Sequence, residues 1–188
     1  MWKPTRVGVQ TGTASWDADR VVLAAGSWSS QIEVEDAEPA PVRPIRGQIV
    51  QLQSEPGALR HVIWNAAGYM VPWPDGSVLV GATAEDVGFD EGTTEAAISG
   101  LRELAAMLVP SLAGAPMIDA RAGLRPRGID DLPLVGPSGS VPGLIYATAH
   151  YRNGVLLSPL TAWLVKQLVL ERAHDAILDT LSPARAGL

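Results

Sequence analysis

The chain has 188 residues, 47% of them hydrophobic and 18% charged, a balance that excludes a disordered segment and allows one or two domains with a buried core. A formal net charge of −6 with no basic cluster excludes a general nucleic-acid binder, which needs cationic surface to displace counterions. With no cysteine, disulfides, thiolate metal sites and a cysteine nucleophile are excluded as well. The histidines, His61, His150 and His174, lack ligand spacing, so no metal site is expected. No Gly-x-Ser-x-Gly elbow is present. No apolar run reaches bilayer length and the first ten residues do not resemble a signal peptide. A cytoplasmic protein without membrane contact is therefore expected.

In chain order, Arg6 to Thr11 reads as a strand. Arg20 to Ala25 (RVVLAA) is a continuous apolar run, expected to be buried on both faces as in a parallel sheet. Gly26, Ser27, Trp28 and Ser29 follow it, either as a plain exit or as a strand end opening onto a ligand crevice. Glu33 to Pro44 is acidic and Pro-rich and reads as a connector. From Val42 to Thr83 the chain is β-rich, with strands expected at Gln48–Gln53, His61–Trp64, Tyr69–Trp73 and Ser77–Thr83. Pro74-Asp75-Gly76 should turn the last two into an antiparallel hairpin. Thr93 or Thr94 can cap a helix whose apolar face is Ile98, Leu101, Leu104, Ala105 and Leu108, and Pro110 ends it. Ile118 to Leu124 is a strand running into a turn at Arg125 to Gly128. Leu144 to Ala149 is a further strand, leading through His150 to Gly154 into a helix. Leu156, Leu160, Trp163, Leu164, Gln167 and Leu168 lie along one side of that helix. With Pro159 inside, it either kinks or begins near Ser158. Its end is expected near Arg172, with a last short helix over Asp175 to Leu181. The order implies an α+β fold in which a parallel-sheet unit is left after Gly26 and re-entered near Leu144.

Two segments break simple core logic. Arg125 follows a strand in which Gly123 permits close backbone approach, and Pro126 fixes the exit. An arginine there can offer a planar fork to a carboxylate, although taken alone it is an ordinary turn residue. The run His150-Tyr151-Arg152-Asn153-Gly154 precedes a helix whose first N–H groups carry partial positive charge. Alone, it is only a capped helix.

Together the segments are specific. AGLRPRGIDDLPLVGPSG and PGLIYATAHYRNGVLLSP, preceded by ADRVVLAAGSWSSQI, PVRPIRGQIVQL and GYMVPWPDGSVLVGAT, resemble the carboxyl-terminal part of the glycine oxidase/D-amino-acid oxidase family of FAD enzymes. The resemblance is closest to the glycine oxidases that serve thiamine thiazole synthesis. It implies an antiparallel-sheet substrate-binding domain plus the carboxyl-terminal remainder of a Rossmann-like FAD-binding domain. The expected division is 1–41 FAD-domain remainder and connector, 42–124 substrate domain, and 125–188 return to the FAD domain. It implies that Arg125 binds the substrate carboxylate, that Tyr69 closes over the substrate, and that Arg152 lies near both substrate and flavin. His150, Asn153, Gly154 and Val155 would face the isoalloxazine ring, and Ala25, Gly26, Trp28 and Gly123 would pass near the cofactor. Ala67 and Ala84 replace larger pocket residues of the family, which leaves room for substrates beyond glycine. No Gly-x-Gly occurs, so the Gly-x-Gly-x-x-Gly fingerprint is absent. The expected partners are a small amino-acid substrate, an FAD-binding amino-terminal half in cis or in trans, and a possible second copy. The implied activity is oxidative deamination of glycine or a small D- or N-methyl amino acid. A flavin-free half acting as an interaction module and a hydroxy-acid oxidoreductase are the alternatives.

Overall fold

The structure is a computed structural model and describes residues 7–171 and 175–188. Arg6 and Arg172, outer bounds of two expected elements, lie outside these residues. The chain divides into two compact units, Ile45–Leu124 and the pair of segments Met1–Pro44 and Arg125–Leu188.

The Ile45–Leu124 unit is built on a five-stranded sheet in the order β5-β6-β7-β4-β8. These strands are β4 (Arg43–Gln53), β5 (Ile63–Asn65), β6 (Gly68–Pro72), β7 (Ser77–Gly81) and β8 (Met117–Arg127). Residues of one parity point inward, so Val50 and Met70 both meet Val80 across antiparallel pairs. Helix α1 (Glu95–Leu108) lays Leu101, Leu104 and Ala105 on that core. Thr94 caps it by accepting from the Ala97 N–H, and Val109 turns extended before a 3-10 turn begins at Pro110. The β6–β7 turn forms as expected. Asp75 Oδ1 accepts from the Ser77 N–H at 2.9 Å. Gly76 has φ of 87°, and a Cβ there would stand 2.3 Å from the Ser54 carbonyl oxygen.

In the other unit, β1 (Val7–Gln10) and β2 (Ser15–Ala18) form a hairpin. A separate sheet has the order β3-β10-β9, from β3 (Val21–Leu23), β9 (Leu134–Pro137) and β10 (Leu144–Thr148). The expected parallel pair is present: β10 runs parallel to β3 and antiparallel to β9. One cluster gathers Leu23, Leu134, Leu144 and Tyr146. The other gathers Val135 with Leu164 of α2 (Gly154–Lys166) and Leu178 and Leu181 of α3 (Ile177–Leu181).

Several expectations are corrected. The Arg20–Ala25 run pairs only over Val21–Leu23 and is not buried on both faces. Val22 is 37% exposed, because β3 ends the sheet. Arg43 and Pro44 of the expected connector begin β4 instead. β8 continues through Arg125, Pro126 and Arg127 instead of turning at Arg125. Pro126 has no N–H for a ladder, but its carbonyl accepts from the Tyr151 N–H at 2.9 Å. Helix α2 begins at Gly154, not near Ser158, and contains Pro159. Proline leaves the Val155 carbonyl without its usual donor, and the Ser158 hydroxyl supplies one at 2.9 Å. The helix runs on as a π turn over Gln167–Glu171. Its expected apolar side is not buried as a stripe: Leu164 is buried, whereas Leu156 is 78% exposed. The 18-residue stretch Gly154–Glu171, with mean hydropathy 1.2, also meets the length and composition of a short membrane span, against the sequence expectation. Strands β2 and β9 were not anticipated.

Candidate functional site

Because β3 and β10 are parallel, their carboxyl ends lie at the same end of the sheet, where ligands of α/β sheets bind. Gly26 follows β3 with φ of 56° and opens a 3-10 turn, Gly26–Gln31. The Trp28 N–H donates to the Ala25 carbonyl at 3.0 Å, and Trp28 is 43% exposed. Ser29 is fully buried and donates to the Gly26 carbonyl at 2.7 Å. The Thr148 hydroxyl, at the end of β10, reaches the same carbonyl at 3.1 Å and lies 2.8 Å from the Ser29 hydroxyl. The Ala25–Trp28 loop is thereby tied to the strand that delivers the second loop.

That second loop departs from ordinary backbone geometry. Ala149 and Tyr151 both have positive φ, 64° and 47°. Such values cost a non-glycine residue free energy and need surrounding structure to hold them. Here β8 holds them. Arg127 bridges His150 in antiparallel fashion, and the Tyr151 N–H bonds Pro126. Gly128 makes the approach possible, since a Cβ there would come within 3.0 Å of the Ala149 Cβ. The guanidinium carbons of Arg127 and Arg152 lie 5.3 and 5.5 Å from the Tyr151 ring centroid, cation–π contacts of about 0.5–1 kcal/mol each at exposed sites. Arg127 is further tied to Asp131, Nε to Oδ1 at 2.6 Å. The strand end carrying Arg125 thus lies against the loop carrying His150 and Arg152. His150 Nε2 sits 2.8 Å from the Thr161 hydroxyl of α2, and burial lowers its pKa, which keeps the ring neutral around pH 7.

Helix α2 begins at the end of this loop. Asn153, its N-cap, makes no side-chain cap bond, so no side chain of that residue covers the first-turn N–H groups. Val155 is 92% exposed beside them. A positive helix end flanked by bare apolar side chains suits the electron-rich end of a flat aromatic ring. These residues fit the ring part of FAD. For the dinucleotide part the chain offers no Gly-x-Gly.

In the Ile45–Leu124 unit, Tyr69 lies on β6 opposite Gly81 of β7. A Cβ at Gly81 would stand 2.7 Å from the Tyr69 ring, so the glycine leaves the ring room to lie there. Gly123 does not serve close approach within this chain: a Cβ there would meet nothing within 4 Å. Ala67 and Ala84 are exposed. A buried polar cluster escaped the sequence reading. Arg46, 4% exposed, binds Glu85 Oε2 at 2.6 Å and Asp90 Oδ2 at 2.5 Å, and donates to the Gly92 carbonyl. Its buried Nε finds no acceptor. Gln48 donates to Glu85 at 2.8 Å and accepts from the Thr94 N–H at 2.7 Å. Burial acts to raise the Glu85 pKa, but hydrogen bonds from Thr83, Arg46 and Gln48, with the Arg46 charge, outweigh it and the net shift is downward. The one available signal was Arg46 and Gln48 at alternate positions of β4, on a strand that also carries Arg43, Gln51 and Gln53.

The fold defines a class: an α+β chain in which an antiparallel-sheet unit interrupts a parallel-sheet unit. Residues 3–168 match the family described as FAD dependent oxidoreductase (DAO), and the chain belongs to that family. Its members use FAD. The chain is 40% identical over 184 residues to the bifunctional protein ThiO/ThiG of Nostoc sp., covering 96% of this chain and 27% of that protein. It is 36% identical over 181 residues to the glycine oxidase of Pseudomonas aeruginosa, covering 96% and 49%. The crystal structure of glycine oxidase from Geobacillus kaustophilus superposes with a TM-score of 0.87 at 33% identity, covering 93% and 48%. The chain thus spans about half the length of the glycine oxidases it matches.

Proposed function

We propose that the chain is the carboxyl-terminal half of an FAD-dependent amine oxidase that oxidatively deaminates glycine or a small D- or N-methyl amino acid. The substrate loses a Cα hydrogen and an N–H hydrogen with two electrons and becomes an imine. Water hydrolyses the imine to the 2-oxo acid and releases ammonia, or methylamine from an N-methyl substrate, and O2 takes up the two electrons and two protons and becomes H2O2. Bound FAD would supply the electron acceptor. Arg125 would hold the substrate carboxylate with its fork, Tyr69 would close over the substrate, and Arg152 would neutralise charge beside it. Ala25, Gly26, Trp28, Gly123, His150, Asn153, Gly154 and Val155 would line the cofactor, with residues 42–124 as substrate domain and 1–41 with 125–188 in the FAD domain. The observation that carries this reading is the tie between the Arg-Pro-Arg end of β8 and the His-Tyr-Arg-Asn-Gly loop. It supports the reading because the strand that carries Arg125 meets, at Pro126 and Arg127, the loop that leads into α2.

The test is to co-produce the chain with the amino-terminal half of Pseudomonas aeruginosa glycine oxidase and record the visible spectrum. A flavin band is expected, bleached by glycine without O2. In that complex Arg125→Leu should lower kcat/KM at least tenfold, since each charge-assisted hydrogen bond contributes about 1.5–3 kcal/mol. Flavin bleached by glycolate and untouched by glycine would replace this reading with a hydroxy-acid oxidoreductase.

A further inference from the structure

Tyr151 combines a strained backbone with a ring that meets two cations. Its φ is 47°, and its N–H donates to the Pro126 carbonyl at 2.9 Å. A glycine would meet that backbone demand without strain, so what the tyrosine adds is its ring. The guanidinium carbons of Arg127 and Arg152 lie 5.3 and 5.5 Å from the ring centroid, within cation–π range. The two cations differ in what else holds them. Arg127 is fixed independently of the ring. Its Nε donates to Asp131 Oδ1 at 2.6 Å and a second guanidinium nitrogen donates to Oδ2 at 3.2 Å, while its backbone bridges His150. Arg152 is exposed and, among the described residues, has no side-chain hydrogen bond or ion pair. The Tyr151 ring is the group that its guanidinium meets.

Arg152 also stands at an unfavourable place for a cation. Helix α2 starts at Gly154, and its first N–H groups carry partial positive charge. Repulsion from that helix end and the rotamer entropy of a long side chain both drive the Arg152 head outward into water. The negative face of the Tyr151 ring acts against both. The ring is itself held, since Pro126 fixes its backbone and Arg127, clamped by Asp131, lies against it. Asp131 also offsets the charge of Arg127, so Arg152 is the cation at this ring whose charge stays available. The order Asp131, Arg127, Tyr151, Arg152 thus passes position from the end of β8 to the loop before α2. Resting on the function proposed above, we propose that Tyr151 is a positioning residue for Arg152. Its ring seats the guanidinium beside the start of α2, where Arg152 offsets the negative charge of the amino-acid substrate. In this role Tyr151 acts through Arg152 and not on the substrate.

The key variant is Tyr151→Asn, because asparagine tolerates positive φ and carries no ring. Tyr151→Gly serves the same purpose if the asparagine variant misfolds. In the whole chain alone, the Nε–Hε signals of Arg127 and Arg152, assigned through Arg127→Lys and Arg152→Lys, should carry ring-current shifts in proton–nitrogen correlation spectra. Tyr151→Asn should abolish both shifts, and Tyr151→Phe, which keeps the ring, should retain them. In the complex with the amino-terminal half of Pseudomonas aeruginosa glycine oxidase, Tyr151→Asn should raise the KM for glycine roughly two- to fivefold, the equivalent of one exposed cation–π contact, with kcat little changed. Tyr151→Phe should restore the parent KM. Arg152→Leu should raise KM as well, and adding Tyr151→Asn to it should raise KM no further, because a residue that acts through Arg152 then has nothing to hold. The same rise in both backgrounds overturns the proposal, and so does a KM for Tyr151→Phe as high as that for Tyr151→Asn. Ring-current shifts that vanish in Tyr151→Asn, beside a parent complex whose flavin glycine never bleaches, uphold the seat and overturn the proposed function. Bleaching by glycine with an Arg152 signal free of any ring-current shift does the reverse.

Discussion

His150 sits between two residues with positive φ, on the loop that carries Arg152, and its ring reaches across to Thr161 on α2. Burial lowers its pKa below the ordinary 6.5. Unfolding therefore takes up a proton in the window between the folded-state value and 6.5. The stabilisation is complete above 6.5 and is lost as pH falls through the lowered value. The melting temperature, followed by circular dichroism from pH 7.5 to 5.5, is expected to drop, and His150→Gln should flatten that dependence while keeping a bond to Thr161. An unchanged slope in the variant would remove His150 as its source. This loop was singled out in the sequence through the family resemblance, because alone His150 to Gly154 reads as a capped helix. Its backbone strain was not, since positive φ at Ala149 and Tyr151 is imposed by the pairing with Pro126 and Arg127. Gly81 was missed for a similar reason: its contact with Tyr69 depends on strand register.

The Arg46 cluster joins the start of β4, the segment after β7 and the cap of α1. Three elements thus share one set of charges, in which Arg46 is buried while Glu85 and Asp90 reach solvent in part. Arg46→Met should lower the midpoint of urea denaturation, because Glu85 and Asp90 lose the cation they share. Glu85→Gln should cost less, since Gln keeps hydrogen-bonding capacity without a stranded charge. Equal losses would mean that shape, not charge, is what the cluster supplies. Glu85, with its lowered pKa, also contributes stability that is present above 4.5 and lost as pH falls further, a window separate from that of His150. Elements with local signals were legible here. Pro-Asp-Gly marked the hairpin, and Thr94 with a three-to-four-residue apolar repeat marked α1. Elements whose signals compete were not. Pro and Gly in β9 argued against a strand, Pro126 argued for a turn, and Pro159 argued for a later helix start. In the last two cases another residue, Tyr151 or Ser158, supplies the bond that proline disrupts.

The two units differ in how the chain builds them. Ile45–Leu124 is one continuous stretch with its own ten-residue core, from Val50 to Ala115. The other unit is assembled from two segments far apart in the sequence, so its formation closes a long loop, and among the described residues its β3 edge stays unpaired. The continuous unit should therefore be the more stable of the two in the isolated chain. A peptide of residues 43–127, which includes all of β4 and β8, is expected to unfold cooperatively in urea. Leu104→Ala should lower its stability by about 2–5 kcal/mol, the cost of emptying a packed leucine site. In the whole chain, amide exchange at Val50 and Val80 should be slower than at Ile145, because β10 depends on a neighbour with a bare edge. Exchange at Ile145 as slow as at Val80 would mean that β3 suffices to close the sheet without further structure. A non-cooperative melt of the peptide would mean that the antiparallel sheet depends on the rest of the chain.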